Sequence, residues 1–190
     1  MKKTAQGSVR IISGTLKGSK LPVLDSAGLR PSADRVRETV FNWLQHSIQD
    51  RSALDLFAGS GALGFEAASR AAKRVVLVEH NPAAVELLKA SKARLKIDNT
   101  DIIQADALMW LARQQNLDFD LVFLDPPFAL ACWNQLWPLL IPHLTTMALL
   151  YLEFAVGKQP TLPDGLQVLK QGSTRHSQFL LAQWQKPDFG

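Results

Sequence analysis

The chain predicts an α/β fold: a mostly parallel sheet of seven strands flanked by helices, closed by a C-terminal antiparallel hairpin and preceded by a small basic extension. Three observations lead there. Strand-like apolar runs alternate with helix-like segments from Ser52 to Leu124; one of the runs, RVVLVE at 74–79, is continuously apolar at Val75, Val76, Leu77 and Val78; and the final two strand-like segments are too close in sequence for a parallel crossover.

Taken in order, Ser52 to Phe57 is a short apolar run with Asp55 at its strand end, and Leu63 to Arg70 is helix-like. Arg74 to Glu79 reads as a strand buried on both faces. Asn81 supplies an N-cap and Pro82 the first helical position for a helix through residue 96, with Val85, Leu87, Leu88 and Leu95 at helical spacing. Thr100 to Ala105 is strand-like, Leu108 to Arg113 helical, and Phe119 to Leu124 a strand that stops at Pro126 and Pro127. Leu149 to Phe154 predicts the next strand. The link that follows, Ala155 to Gly165, contains two prolines and two glycines and is not expected to hold a long helix. Gln167 to Lys170 and Gln178 to Trp184 then form the hairpin, with Gly172 in the turn.

Composition narrows the function. The chain has 190 residues, 47% of them apolar and 20% charged, which suits one globular domain with a sizeable core. The single cysteine, Cys132, cannot make an internal disulfide, and one cysteine with four scattered histidines offers no zinc spacing, so no metal is expected. No apolar segment follows Lys2 and Lys3, and the longest apolar stretch, Met147 to Val156, is interrupted by Glu153. A soluble, cytoplasmic protein without membrane contact is expected. Residues 1–37 carry eight basic groups against Asp25 and Asp34, a local excess of +6, so the remainder holds −2 of the total +4. A basic arm on a near-neutral body suggests an anionic partner, most commonly nucleic acid.

The glycines carry the first chemical signal. DLFAGSGALG at 55–64 places Gly59, Gly61 and Gly64 in a G-x-G-x-x-G pattern between a strand and a helix, with Glu79 about 20 residues beyond. Such a turn brings backbone N–H groups close to a ligand. Asp55 at the strand end would repel a pyrophosphate but accept hydrogen bonds from an ammonium group. S-adenosylmethionine has an amino acid at one end, adenosine at the other, and no phosphate. Glu79, at the end of the second strand, is placed for the ribose hydroxyls, and Asp106 in QADAL, at the end of the third, for the adenine amine.

LDPPF at 124–128 carries the second. In a doubly wound sheet the first and fourth strands meet at the topological switch point, so Asp125 should face the glycine turn across one crevice. An exocyclic base amine is a poor nucleophile because its lone pair is delocalised into the ring. The Asp125 carboxylate and the Pro126 carbonyl, held rigidly by the prolines, can accept its two N–H bonds and favour a tetrahedral nitrogen. Phe128 offers a face on which the base can stack.

DLFAGSGALGFEAASR, VEHNP, QADA and DPPF together resemble a Rossmann-like class I S-adenosylmethionine-dependent methyltransferase of the amino-group type. With RIISGTLKG at 10–18 and LRPSADRVRETVFNWL at 29–44, the chain resembles the bacterial RsmD family, 16S ribosomal RNA guanine-N2 methyltransferases whose usual target is guanine 966 of the small subunit. The resemblance runs from about Arg10 to Trp184. It implies S-adenosylmethionine as methyl donor, S-adenosylhomocysteine as product, and 16S rRNA in the small subunit or an assembly intermediate as partner. Asp55, Phe57, Gly59, Ser60 and Gly61 would line the methionine end, Glu79 and His80 the ribose, Asp106 and Ala107 the adenine, and Asp125, Pro126, Pro127 and Phe128 the target base, with Asp125 also bordering the cofactor. Residues 1–30 would form a basic extension, a β-hairpin in which Arg10, Lys17 and Lys20 contact RNA, ahead of a methyltransferase domain at 31–190. Arg30 and Arg35 either border the pocket or the RNA, or lie on the wet face of a helix capped by Ser32 and packed through Val36, Val40, Trp43 and Leu44. Ser32 stands where the family commonly has threonine.

Other readings remain. Asp-Pro-Pro-Phe sites also occur in DNA adenine-N6 methyltransferases and, in related form, in enzymes that methylate protein glutamine; the small extension leaves little room for DNA recognition. Cytosine-C5 chemistry would need a nucleophilic cysteine, and Cys132 lies beyond the loop. A non-catalytic RNA-binding protein would not need Glu79, Asp106 and Asp125 together. No heptad or long unpaired apolar segment is present, which makes a monomer the expectation.

Overall fold

A computed structural model describes residues 7–24, 31–115, 117–130 and 132–186. Arg30 lies outside the described residues, as do the side chains of Pro31 and Ser32. Strands β1 (Gly7–Arg10) and β2 (Lys20–Val23) pair antiparallel as a separate hairpin. Helix α1 (Pro31–Trp43) follows, then β3 (Ser52–Asp55), α2 (Ala62–Ser69), β4 (Arg74–Glu79), α3 (Pro82–Leu95), β5 (Thr100–Gln104), α4 (Ala107–Leu111), β6 (Phe119–Leu124), α5 (Trp133–Leu140), a 3₁₀ turn (Ile141–His143), β7 (Leu144–Ala155), β8 (Leu166–Ser173) and β9 (Ser177–Trp184).

The main sheet has seven strands in the order β5-β4-β3-β6-β7-β9-β8, with β9 antiparallel to both of its neighbours. The order reverses between β3 and β6, so the switch point opens beyond their carboxyl ends. Alternation along the strands explains why apolar runs were needed. Ala53, Val75, Leu77, Leu121, Phe123, Leu149 and Tyr151 face one core layer, and Leu54, Val76, Val78, Val122, Leu124, Leu150 and Leu152 the other. The first layer also holds Val40, Phe41 and Leu44 of α1 and Phe65 of α2; the second holds Leu111 of α4 and Leu136 and Leu140 of α5.

The N-terminal hairpin is docked on this body. Ile11 and Leu21 are buried among the first layer, and the fully buried Glu66 of α2 accepts from the backbone N–H groups of Ile12 at 2.6 Å and Ser13 at 3.0 Å. The Arg70 guanidinium donates to Glu66 at 2.7 Å and lies 4.9 Å from the centre of the Phe41 ring.

Several sequence expectations are corrected. Helix α1 begins at Pro31, which places Ser32 within its first turn. Helix α5 went unread because Pro138 interrupts an otherwise apolar segment, and Pro138 lies inside the helix. Strand β7 starts at Leu144, five residues before the expected Leu149, because Phe119 pairs with Leu144 ahead of a register shift in the β6–β7 ladder.

Candidate active site

One cleft of about 920 Å³ opens beyond the carboxyl ends of β3, β4, β6 and β7. Asp55 ends β3 and is 1% exposed; its Oδ2 accepts from the Gly64 backbone N–H at 2.9 Å, which folds the first turn of α2 back onto the strand. A Cβ on Gly64 would collide with the end of the Leu77 side chain and crowd the Asp55 carboxylate at 3.2 Å, so a larger residue would force these neighbours to shift. Burial pushes the Asp55 carboxyl up to about 7; the Gly64 N–H opposes that shift and the nearby Glu79 charge adds to it.

The glycine turn and the end of β4 are tied together. Gly59, at φ 52°, donates its N–H to Glu79 Oε2 at 2.8 Å, and Asn81 donates to Oε1 at 2.7 Å. Open space surrounds the position where a Gly59 Cβ would stand. Both Glu79 oxygens are thus oriented by backbone, each with lone pairs left for a ligand. The exposed His80 lies beside them, its Nδ1 3.2 Å from Oε1. Asp106 caps α4, accepting from Met109 N at 2.9 Å, and Ala107 behind it is buried.

Asp125 stands across the cleft from the glycine turn. No described residue donates to its carboxylate, which faces the open cleft yet is closely surrounded by protein. Asp125 itself is exposed to the cleft; partial desolvation by the protein packed around it, and after it the charges of Glu153 and Asp55, push this carboxyl above the usual range. Pro126 is buried, Pro127 is exposed and its carbonyl accepts from Leu130 N at 2.7 Å, and Phe128 at 52% exposure presents its ring at the mouth.

All ten residues expected at the cofactor, except Gly61, line the cleft, together with the Asp-Pro-Pro-Phe loop. Gly61 instead begins α2 from a left-handed conformation at φ 76°, where a Cβ would press on Leu88 and Phe65. Every described residue among the expected RNA contacts reaches the surface, whereas one further basic group of the arm does not. Arg10, Lys17, Lys20 and Arg35 are exposed. Arg37, one of the basic groups counted in the arm, is buried, paired with Asp34 at 2.7 Å and bonded to the Arg10 carbonyl at 2.7 Å, and so adds no free charge to the surface.

Sequence reasoning missed Tyr151 and Glu153 of β7, which also line the cleft; the Tyr151 hydroxyl donates to Glu153 Oε2 at 2.5 Å. The available signal was a lone acid breaking an apolar strand. Among the described residues, Asp34, Asp55, Glu79, Asp106, Asp125 and Glu153 face Arg37 and His80 as the basic lining groups. An acidic cleft of this kind repels phosphates and accommodates ammonium and sulfonium cations.

A parallel sheet of this order with one reversed strand, a glycine turn beneath the switch point and an acid at the end of the second parallel strand define a class I S-adenosylmethionine-dependent methyltransferase. The family described as conserved hypothetical protein 95 matches residues 9–183. The chain is 44% identical over 175 residues to ribosomal RNA small subunit methyltransferase D of Haemophilus influenzae, spanning 90% of this chain and 91% of that one. With the methyltransferase D of Escherichia coli K12 it shares 44% identity over 163 residues, 84% of this chain and 82% of that one. The solved structure of Escherichia coli yhhF matches with a TM-score of 0.86 at 39% identity, covering 95% of this chain and all of that one. The chain belongs to the ribosomal RNA small subunit methyltransferase D family.

Proposed function

We propose that this enzyme methylates the exocyclic N2 amine of one guanine, position 966 of 16S rRNA, within the small ribosomal subunit or an assembly intermediate. The observation that carries the reading is the Asp-Pro-Pro-Phe loop standing across a single acidic cleft from the glycine turn. When bound, S-adenosylmethionine supplies a methyl group already activated by its sulfonium, so alignment with the amine is the main requirement. The chain's residues fit that cofactor: Asp55 faces the ammonium, Glu79 the ribose hydroxyls, and Asp106 and Ala107 the adenine. Asp125 and the Pro126 carbonyl accept the N–H bonds of the amine and orient its lone pair toward the methyl carbon. Phe128 stacks on the extruded base, worth about 1–3 kcal/mol, which partly offsets its removal from the RNA stack.

The hairpin and α1 supply the rRNA contacts. Val9 and Val23 of the hairpin and Asp34 and Arg37 of α1 line the same cleft, so RNA held on Arg10, Lys17, Lys20 and Arg35 would lie beside the reacting amine. Among the described residues no helix is long and apolar enough to cross a membrane, and no group of three or more potential ligands could hold a metal ion.

Purified enzyme and labelled S-adenosylmethionine, supplied with small subunits from a strain lacking the activity, naked 16S rRNA or plasmid DNA, test it. N2-methylguanine at one position is expected, and an Asp125→Ala variant should bind cofactor normally but transfer nothing. Label in DNA adenine, or in no nucleic acid, would overturn the assignment.

A further inference from the structure

The Asp-Pro-Pro-Phe loop explains how an amine is held, but not how a guanine amine is distinguished from that of another base. The geometry of β6 and β7 supplies a discriminator. Phe123 pairs with Tyr151 and Leu124 with Leu152, so continuing that register one step past the end of β6 would set Asp125 beside Glu153, at about the 4.8 Å spacing of neighbouring strands, and the Glu153 charge does act on Asp125. Both residues line the cleft with Phe128. Glu153 is not free to turn away: the hydroxyl of Tyr151, itself 1% exposed, donates to Oε2 at 2.5 Å, and the Tyr151 ring is locked edge-on against Phe123 with centroids 6.4 Å apart. Among the described residues neither Glu153 Oε1 nor either Asp125 oxygen has a donor. The cleft therefore presents two neighbouring acceptors beside an aromatic face.

Guanine carries N1–H next to its N2 amine, two adjacent donors on one edge. Adenine carries its amine next to N1, which is an acceptor. We infer that Glu153 is a specificity-determining residue, accepting N1–H of the target guanine while Asp125 accepts from N2, and that Tyr151 positions it. This rests on the guanine-N2 reading above and deepens it. A purine with an acceptor at N1 would set its lone pair against the Glu153 carboxylate and leave both unpaired, a mismatch that sites built on hydrogen bonds reject strongly.

The test uses small-subunit particles reconstituted with rRNA that carries either guanine or 2-aminopurine at the target. The analogue keeps the N2 amine but has an acceptor at N1. Single-turnover methyl transfer by the wild-type enzyme should favour guanine by about 100-fold or more. Glu153→Gln, which can turn an NH₂ toward N1, should reduce that preference at least about tenfold, with cofactor affinity and Tm unchanged. Tyr151→Phe, which frees the carboxylate without altering its charge, should reduce it in the same direction. An undiminished preference in both variants, or none in the wild type, would overturn the role of Glu153 and leave the guanine-N2 reading standing. Failure of the wild type to methylate guanine in these particles would overturn that reading and this inference with it.

Discussion

The backbone N–H of Gly59 donates to Glu79 Oε2 at 2.8 Å, joining the turn after β3 to the carboxyl end of β4. One carboxylate thereby shapes the glycine turn and presents its remaining lone pairs to a ribose. Glu79→Ala removes the acceptor for Gly59 N and Asn81 N together with the ribose contact. Charge-assisted bonds of this kind contribute about 1.5–3 kcal/mol. Calorimetry should show S-adenosylmethionine binding weakened by roughly 10- to 100-fold, and unchanged affinity would remove Glu79 from the cofactor site.

Asp55 makes the ligand-free enzyme sensitive to pH. Its carboxyl is pushed from 3.8 to about 7 in the fold, so between those values the folded chain retains a proton that the unfolded chain has released. Stability therefore falls as pH rises through that window, by about 4 kcal/mol at most. Asp55→Asn should keep the Gly64 bond through its amide oxygen while removing the buried charge. Thermal unfolding should find the variant more stable than the parent at pH 8, with the gap closing toward pH 4, and its cofactor affinity should drop because the ammonium loses its counter-charge. Parallel stability curves for the two proteins would refute this account of Asp55.

Glu66 anchors the hairpin. Glu66→Ala would leave Ile12 N, Ser13 N and the Arg70 guanidinium without their acceptor in the interior. Breaking a buried pair of this kind costs about 3–5 kcal/mol, which for a chain of this size corresponds to a fall in Tm of roughly 6–20 °C. Limited proteolysis should then cut first near the hairpin. A Tm within about 2 °C of the parent would show that the anchor is dispensable.

Lys17 and Lys20 are exposed on the docked hairpin. Replacing both by alanine should weaken rRNA binding and flatten the slope of log K against log salt by about 1–2, since each lost phosphate contact removes close to one unit. Equal slopes for parent and variant would place the RNA elsewhere.

Much of this molecule was legible in its sequence because the determining physics is local. Continuous apolar runs specify strands buried on both faces, Asn81 and Pro82 start α3, and Pro126 and Pro127 end β6. The antiparallel closing hairpin then followed from crossover length, the adjacency of β3 and β6 from the doubly wound fold, and the cleft residues from strand ends, whereas the place of β9 between β7 and β8 came only with the structure. Tertiary structure alone decided the rest. Glu66 and Arg37 look like surface charges in the sequence and are buried, because the docked hairpin brings backbone groups to them from more than 25 residues away. Glu153 looks like an interruption of an apolar strand until the β6–β7 pairing brings it to the cleft that Asp125 also lines. Spacing along a chain encodes which face of a strand a residue occupies, whereas its neighbour across the sheet is set by long-range pairing.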